Sequence, residues 1–353
     1  MVVDIAICGA GAAGCALAIA LARAGYSILV LEREVIPTPR PGESLPPEVR
    51  VPLAALGVWE EFLAAGHLSA AGNHAFWGEG TGHYKDFLFN PYGNGWHIDR
   101  TQFDTMLQRS AHTTGATIHR GVKRIRVERE ASRWSLMWRE ASDWQAATAK
   151  FVADATGRAR GLTRWIGIPV RRYDRLIGRI GCVPLCGPAE ATTLIEAVPQ
   201  GWWYSAPLPS AELMVAFMSD PGVPPPATLP PRICWRAGSG VWKPHAAPAD
   251  TACLVETAGE GWIAVGDAAA SHDPLAAQGI MRALMSGLRA GEAVASALAG
   301  SGQPLARYRE MQSRAFAAYL VQRQYYYRAE RRWPRHSFWR NRYREAVPLS
   351  AGD

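Results

Sequence analysis

The chain opens with an apolar run that leads directly into glycines. Residues 2–8 are mostly apolar and rich in β-branched side chains, which predicts a buried parallel strand. Residues 9–14 read GAGAAG, and residues 16–23 continue as a helix-forming stretch. A second apolar run, residues 27–31, predicts another strand, and Glu32 follows it. Strand, glycine turn, helix, strand and acidic residue in this order predict a dinucleotide-binding βαβ unit.

Each glycine of the turn has its own expected role in holding a pyrophosphate. Gly9 permits the tight turn, Gly11 leaves room for the phosphates, and Gly14 lets the helix pack closely on the strand. The helix N-terminus directs N–H groups and the positive end of the helix dipole to the same place. Glu32 lies 18 residues after Gly14, where a carboxylate can accept from both ribose hydroxyls. Together these residues predict an adenosine diphosphate site.

The rest of the pattern predicts an α/β chain with a strand-rich middle. Residues 35–50 hold five prolines and predict a loop. Apolar spacing predicts helices over residues 51–65, 100–113 and 279–299, and a helical tail over 304–345. Alternation predicts strands within 72–96, 117–127 and 134–138, a β-rich block from 165 to 260, and a buried strand over 261–265.

Composition and charge restrict the classes of partner and compartment. The net charge is +7, and much of the excess lies in one C-terminal stretch, so we expect no nucleic-acid partner. The six cysteines show no paired metal-binding motif, so we expect no metal. The chain begins directly in a strand and contains no apolar run of membrane-spanning length. We therefore expect a cytoplasmic protein without a membrane association.

A second ligand-binding stretch decides between a nicotinamide and a flavin dinucleotide. Residues 262–284 combine a buried strand, an acidic residue at its end, small residues and a helix N-terminus. Asp267 could accept from ribityl hydroxyls, and the N–H groups of Gln278, Gly279 and Ile280 could face an electron-rich ring edge. A nicotinamide enzyme has no need of this second site, so the stretch favours FAD.

Four motifs resemble those of the FAD-dependent monooxygenase and flavin-dependent halogenase superfamily. They are GAGAAG with Glu32, RTQFD at 100–104, DATG at 154–157 and GDAAASHDP at 266–274. The resemblance implies a Rossmann-like FAD-binding domain with an inserted β-sheet substrate domain and a helical C-terminal tail. It also implies which residues hold FAD: Gly9, Gly11, Ala13, Gly14, Glu32 and Arg33 for the ADP part, Arg100 and Asp267 for the diphosphate and ribityl part, and Gln278, Gly279 and Ile280 for the isoalloxazine.

On this resemblance we divide the chain into alternating segments. The FAD-binding domain comprises residues 1–72, 99–164 and 259–303. The substrate domain comprises residues 73–98 and 165–258, and an aromatic and Arg-rich helical tail covers 304–353.

Halogenase chemistry is disfavoured by three departures from the halogenase pattern. Halogenases carry a lysine in a K-x-G-I segment, and the matching residues 69–73 read SAAGN. Tryptophan halogenases carry P-L-E-S-T-G, whereas residues 274–279 read PLAAQG, with Ala276 in place of the glutamate. The WxWxIP signature survives only in part, as WWYSAP over 202–207.

Other segments are most similar to the maturation flavoproteins that form the tryptophylquinone cofactor of lysine and glycine oxidases. These segments are residues 74–78, 93–104 and 200–220 and the tail ending RRWPRHSFW. The resemblance implies hydroxylation of an aromatic ring through a flavin C4a-hydroperoxide, with a tryptophan of a protein partner, a quinone-cofactor oxidase precursor, as substrate. The alternatives are a small-molecule indole or phenol hydroxylase, an atypical halogenase, and a non-catalytic flavoprotein chaperone of an oxidase precursor. Either NAD(P)H or a separate flavin reductase would supply the electrons.

The residues that shape the substrate pocket are less sharply defined by the sequence. Candidates with stacking surfaces or polar tips are His74, Trp77, Trp96, His97, Trp202, Trp203 and Tyr204. Residues 319–345 carry eight arginines and several aromatic residues. This segment is either a terminal helix packed across the FAD domain or a docking surface for an acidic protein substrate.

Overall fold

The computed structural model describes residues 1–78, 80–187 and 191–344. The α-helices of these residues are α1 (Ala12–Arg23), α2 (Arg50–Ala55), α3 (Trp59–Ala64), α4 (Arg100–Thr113), α5 (Gly161–Trp165), α6 (Pro231–Cys234), α7 (Gly279–Leu298), α8 (Gln303–Ala329) and α9 (Ser337–Arg344). The strands are β1 (Val2–Cys8), β2 (Ile28–Leu31), β3 (Ser44–Leu45), β4 (Leu68–Ala70), β5 (Gly72–Phe76), β6 (His83–Asp86), β7 (Gly95–His97), β8 (Thr117–His119), β9 (Lys123–Glu130), β10 (Arg133–Glu140), β11 (Asp143–Asp154), β12 (Val170–Arg172), β13 (Ile177–Pro184), β14 (Thr192–Val198), β15 (Gly201–Pro207), β16 (Glu212–Ser219), β17 (His245–Pro248), β18 (Ala252–Leu254), β19 (Ala258–Gly259), β20 (Trp262–Ala264) and β21 (Ala270–Ser271).

A mainly parallel sheet brings distant parts of the chain to one edge. Its parallel core has the order β8-β2-β1-β11-β20, with β19 antiparallel at the end and β10 and β9 extending the first half of β11. In this register Cys8 lies opposite both Leu31 and Asp154, and Asp154 lies opposite Ala264. The carboxyl ends of β1, β2, β11 and β20 therefore meet, which is where open α/β sheets bind their ligands.

Helices α1 and α7 pack closely against each other beside this sheet. A Cβ atom built on Gly287 would lie 2.4 Å from the carbonyl oxygen of Ala13, and one built on Gly291 would lie 2.7 Å from Ala20 Cβ. Only glycine allows the two helices to approach to this distance without a shift. The start of α7 is thereby fixed relative to the glycine turn at the start of α1.

A second, seven-stranded sheet has the order β17-β13-β16-β15-β14-β5-β6. All its neighbours are antiparallel except β14 and β5. Along β15 the side chains alternate between two packed faces, with Trp202 in one aromatic cluster and Trp203 in another. Strand β7 does not join this sheet, because it pairs with β3 and β4. Residues 95–97 thus group with segment 44–70 rather than with β5 and β6.

The C-terminal helices α8 and α9 pack across both sheets. Tyr308 of α8 donates to the carbonyl oxygen of Ala264 at 2.8 Å, and Phe338 and Trp339 of α9 are fully buried among aromatic residues. The predicted helical C-terminal tail is confirmed, and it consists of two helices separated by residues 330–336, which include Pro334. Residue 345 and the rest of the predicted tail lie outside the described residues. Within the described ranges, no helix combines the length and the hydropathy needed to cross a bilayer.

The predicted α/β fold class is confirmed, and so are the helices predicted at α1, α4 and α7. The single helix predicted over residues 51–65 is wrong, because α2 and α3 are separate. Gly57 between them has φ +65°, a left-handed conformation that cannot continue an α-helix. The guanidinium of Arg23 donates to the carbonyl oxygens of Ala55 and Leu56 at 2.8 and 2.7 Å, which stabilises this break.

Candidate active site

A cavity of about 1080 Å³ lies between the two large sheets. One side is formed by the residues after β1, β2, β11 and β20, and the other by side chains of β13, β15 and β16. It has the size expected for a cofactor or substrate site. The sequence-predicted residues that line it are Gly9, Gly11, Ala13, Glu32, Arg33, Arg100, Trp202, Tyr204, Asp267, Gln278, Gly279 and Ile280.

One end of the cavity fits an adenosine diphosphate. Glu32 Oε2 accepts from the N–H of Ala10 at 2.6 Å, and Glu32 Oε1 accepts from the N–H of Glu34 at 3.0 Å, so the carboxylate is held in one orientation. A Cβ built on Gly11 would meet nothing within 4 Å. Helix α1 begins there without a side-chain cap, which leaves its N–H groups available to an anion. Arg33 lies at this end with its side chain 80% exposed and paired with Glu34.

Gly14 does not line the cavity. A Cβ on Gly14 would lie 2.0 Å from the carbonyl oxygen of Gly9. Gly14 therefore allows α1 to pack closely against the turn after β1, whereas Gly11 leaves open space in which a phosphate could approach the backbone.

The loop before β3 wraps over Arg100 at the start of α4. Arg100 Nη2 lies 3.1 Å from Asp104 Oδ2, one turn along the same helix, and Arg100 also donates to the carbonyl oxygen of Pro41. Gly42 has φ +110°, and a Cβ there would lie 2.7 Å from Arg100 Nη1. Asp99 caps the helix by accepting from two N–H groups of its first turn. The cationic side chain is thus held against the cavity by the loop and the helix together.

Arg158 is a cavity residue that the sequence reasoning missed. It donates to the carbonyl oxygen of His272 at 2.7 Å and lies 3.2 Å from Asp250 Oδ1, and its Nε lies 3.4 Å from Asp267 Oδ2. Burial raises the pKa of Asp267, and the charges of Arg158, Arg160 and Arg100 oppose that rise. Arg158 could have been predicted from its position directly after the DATG motif, because β11 ends at the same sheet edge as β1 and β20.

Residues 273–280, named here the flavin loop, form the middle of the cavity. Asp273 Oδ1 accepts from the N–H of Leu275 at 3.0 Å, and Ala277 adopts a left-handed conformation with φ +48°. Helix α7 then begins at Gly279 with no side-chain cap, so the N–H groups of its first turn are directed at the cavity without an intrahelical acceptor. These groups fit the electron-rich edge of an isoalloxazine.

The opposite wall of the cavity is apolar and aromatic. It is formed by Ile180, Trp202, Tyr204, Met214, Ala216 and Met218. The hydroxyl of Tyr204 lies 2.7 Å from Ser44 Oγ, which lies 3.1 Å from Thr193 Oγ1. Burial, followed by the charge of Glu43, raises the pKa of Tyr204 well above its ordinary value, so its hydroxyl stays protonated. An aromatic ring could therefore stack against this wall beside one neutral polar tip.

The other pocket candidates lie away from the cavity surface. Trp203 points to the opposite face of β15 and packs on Phe217, with ring centroids 4.8 Å apart. The ring of Trp96 contacts the ring of Phe62, and the ring of His74 contacts the ring of Phe76. Trp77 packs behind Trp202, with centroids 6.3 Å apart.

His97 is fully buried behind the wall, and its Nε2 lies 3.0 Å from Thr193 Oγ1. Burial lowers its pKa to about 3, and the charge of Arg236 acts in the same direction, so the ring is neutral at physiological pH. The predicted contributions of all these residues to the substrate pocket stay predictions.

Comparisons with known proteins agree with the geometry of this site. Residues 4–95 match the family model described as tryptophan halogenase. LodB of Marinomonas mediterranea, assigned as an FAD-dependent oxidoreductase, is 26% identical over 96% of this chain and 96% of its own length.

Solved structures with the same fold include the myxobacterial chondrochloren halogenase CndH, with a TM-score of 0.84 and 24% identity over 99% of this chain and 87% of that one. They also include QhpG, a peptidyl tryptophan dihydroxylase essential for tryptophylquinone cofactor biogenesis, with a TM-score of 0.79 and 22% identity over 100% of this chain and 82% of that one. The chain is therefore an FAD-dependent oxidoreductase, similar in sequence and fold to flavin-dependent halogenases and similar in fold to QhpG.

Proposed function

We propose that this protein hydroxylates an aromatic ring, and that the ring is a tryptophan side chain of a protein partner during quinone cofactor maturation. The observation that carries the proposal is the apolar wall around Trp202 and Tyr204, which faces the flavin loop across the cavity. A wall of this kind binds a flat, electron-rich ring and excludes water.

The position of the lysine that lines the cavity supports hydroxylation over halogenation. Lys123 is the one lysine of the described chain that lines the cavity. It lies at the adenosine end, since the N–H of its neighbour Val122 donates to the carbonyl oxygen of Glu32 at 3.0 Å. Segment 69–73, which corresponds to the lysine segment of halogenases, contributes no side chain to the cavity lining. The aromatic end thus lacks a lysine that could carry a halogenating group.

The residues of this chain orient the substrate and keep the site dry, whereas reduced FAD supplies the electrons for activating O₂. Trp202 is fully buried, and Ile180 and Met218 are each only 5% exposed. Tyr204, held by Ser44, offers the ring substituent a single hydrogen-bonding group. Orientation of a reacting ring in a dry site is a large part of the catalytic effect that such a wall can produce.

An exposed basic face on the tail supports a protein substrate. Four arginines of the tail are exposed, namely Arg328, Arg331, Arg335 and Arg340. Tyr325, near the C-terminal end of α8, is 70% exposed. Arg332 is not part of this face. Its guanidinium is paired with the buried carboxylate of Glu330 at 2.6 Å. Arginine and tyrosine are favoured anchors of protein interfaces, and a basic face selects an acidic partner surface. QhpG, whose described substrate is peptidyl tryptophan, supports the same class of substrate.

Isotope incorporation tests the proposed reaction. The FAD-loaded protein is reduced without oxygen and then mixed with ¹⁸O₂ and either a tryptophan-containing acidic protein, free tryptophan or a phenol. We expect heavy oxygen in the protein-bound tryptophan and not in the free compounds. Heavy oxygen only in a free compound would indicate a small-molecule hydroxylase. Tight partner binding without any product would indicate a chaperone.

Bleaching of the flavin by NADH alone, under anaerobic conditions, distinguishes direct reduction by NADH from reduction by a separate flavin reductase.

Charge reversal tests the docking face. We expect the double variant Arg328→Glu, Arg331→Glu to bind the acidic partner more weakly. Arg307→Glu, at the exposed start of α8, should leave this binding unchanged. Equal binding by both variants would contradict docking at this face.

Halogenation is the second candidate, because one carboxylate is present at the aromatic end. Glu43 is only 4% exposed and lines the cavity beside Tyr204, although Ala276 occupies the position of the halogenase glutamate. The same reaction with chloride or bromide decides between the two. A halide-dependent product mass, with no oxygen incorporated into the substrate, would establish halogenation.

A further inference from the structure

The inner face of α8 contacts the flavin loop at several points. Tyr319, Arg323 and Tyr327 are spaced four residues apart and therefore share one face of the helix. All three side chains are buried, whereas Tyr325, on another face, is 70% exposed. The buried face therefore packs against Asp273 of the flavin loop, although it lies outside the Rossmann-like core.

The hydroxyl of Tyr327 joins the flavin loop to the aromatic wall. It donates to Asp273 Oδ2 at 2.7 Å and accepts from Trp202 Nε1 at 3.1 Å. Asp273 Oδ1 holds the N–H of Leu275 inside the loop, and the ring of Trp202 lines the cavity. One phenol thus connects the two structures between which the ring of the cofactor would lie.

Neighbouring groups hold this phenol in place and keep it protonated. Burial, followed by the charge of Asp273, raises the pKa of Tyr327 well above its ordinary value, so the hydroxyl remains a donor. The guanidinium of Arg323 lies over the Tyr327 ring at 5.0 Å and 2.9 Å from Asp174 Oδ2. Tyr319 accepts from the N–H of Asp273 at 2.6 Å. The contact to Asp273 is therefore defined by several groups of the tail and not by a single flexible side chain.

We propose that Tyr327 is a positioning residue of the flavin site, which sets the spacing between the flavin loop and Trp202. It does not touch the cofactor, and it acts through Asp273 and Trp202. The proposal rests on the FAD cofactor and not on which ring is hydroxylated. An error in the proposed reaction would therefore leave it intact.

Removing one oxygen atom tests this role. Tyr327→Phe keeps the buried ring but leaves the Trp202 N–H and Asp273 Oδ2 without this partner, while Tyr92→Phe removes the hydroxyl of an exposed tyrosine and is the control. For Tyr327→Phe we expect FAD to bind about tenfold more weakly, because unpaired buried polar groups are costly. We also expect a changed visible circular dichroism of the bound flavin and more hydrogen peroxide released per O₂ consumed. Tyr92→Phe should match the wild type in all three measurements.

The outcome separates positioning from a merely structural role. A Tyr327→Phe protein with a lower melting temperature but wild-type FAD affinity and flavin dichroism would overturn the proposal. Asp273→Asn provides a second test if the first variant does not fold, because it keeps the side-chain size and removes the charge that Tyr327 and Arg323 face. The same spectral change in this variant supports the proposal, and a wild-type spectrum overturns it.

Discussion

Acid should destabilise this protein through the buried ring of His97. The folded protein holds the ring neutral, because burial lowers its pKa from 6.5 to about 3. In the unfolded chain the same ring takes up a proton near its ordinary pKa. Between these two values the unfolded state binds more protons than the folded state, so stability falls as the pH decreases from 6.5 towards 3.

The size of the effect follows from the two pKa values. At pH 5 the unfolded ring is almost fully protonated and the folded ring almost fully neutral. The difference corresponds to about 2 kcal/mol of lost stability from this residue alone. Buried His67 acts in the same direction, since burial lowers its pKa to about 4, so the total acid sensitivity is larger than the share of His97.

Urea unfolding at pH 7 and at pH 5 measures this share when the wild type is compared with His97→Gln. Glutamine does not titrate, so the variant should lose about 2 kcal/mol less between the two pH values, whatever its stability at pH 7. His336→Gln, at an exposed position, is the control and should behave as the wild type does. The reasoning is refuted if His97→Gln and the wild type lose the same free energy of unfolding between pH 7 and pH 5.

Four further substitutions test the glycine turn and the charged residues of the cavity. Gly14→Ala should destabilise the fold by about 1–3 kcal/mol in thermal unfolding, because its Cβ would lie 2.0 Å from a carbonyl oxygen. Gly11→Ala should keep the melting temperature within a few degrees but weaken FAD binding, since its Cβ enters open space in the cavity. Glu32→Gln should weaken FAD binding about tenfold in calorimetry, while Glu34→Gln should not. Arg158→Met should lower both stability and FAD affinity, because it removes one of the two arginines paired with buried Asp250 and the arginine beside Asp267, whereas the exposed Arg164→Met should change neither. A destabilised Gly11→Ala protein, a wild-type affinity in Glu32→Gln, or equal effects of the two arginine substitutions would each contradict the corresponding assignment.

The nucleotide-binding unit was predictable because its signals are local. Strand β1, the glycine turn, α1 and Glu32 lie within 32 residues, and each residue type has a steric or electrostatic reason for its position. The same holds for α7, whose start is marked by a change from strand to helix pattern. Local signals of this kind require no knowledge of the tertiary packing.

The aromatic wall was only partly predictable, because its geometry depends on which face of a strand meets the cavity. Alternation along β15 separates Trp203 from Trp202 and Tyr204, but it does not determine which side faces the cofactor. Trp96 and His97 lie a few residues before Arg100, which lines the cavity, yet β7 pairs with β3 and β4 and places them away from the cavity surface. The sheet partners that decide these positions come from segments far away in the sequence.

The sheet order that assembles the nucleotide site also determines when the site can form during translation. Strand β1 has β2 on one side and β11 on the other, and β11 is completed by β20, which ends at residue 264. Helix α1 is covered by α7, which ends at residue 298. A nascent chain of a hundred residues carries every glycine of the fingerprint but lacks six of the eight described strands of the sheet and the helix that covers α1. Its apolar surfaces therefore stay uncovered until the segment that ends at residue 298 has been synthesised, so we expect the nucleotide site to form late in translation.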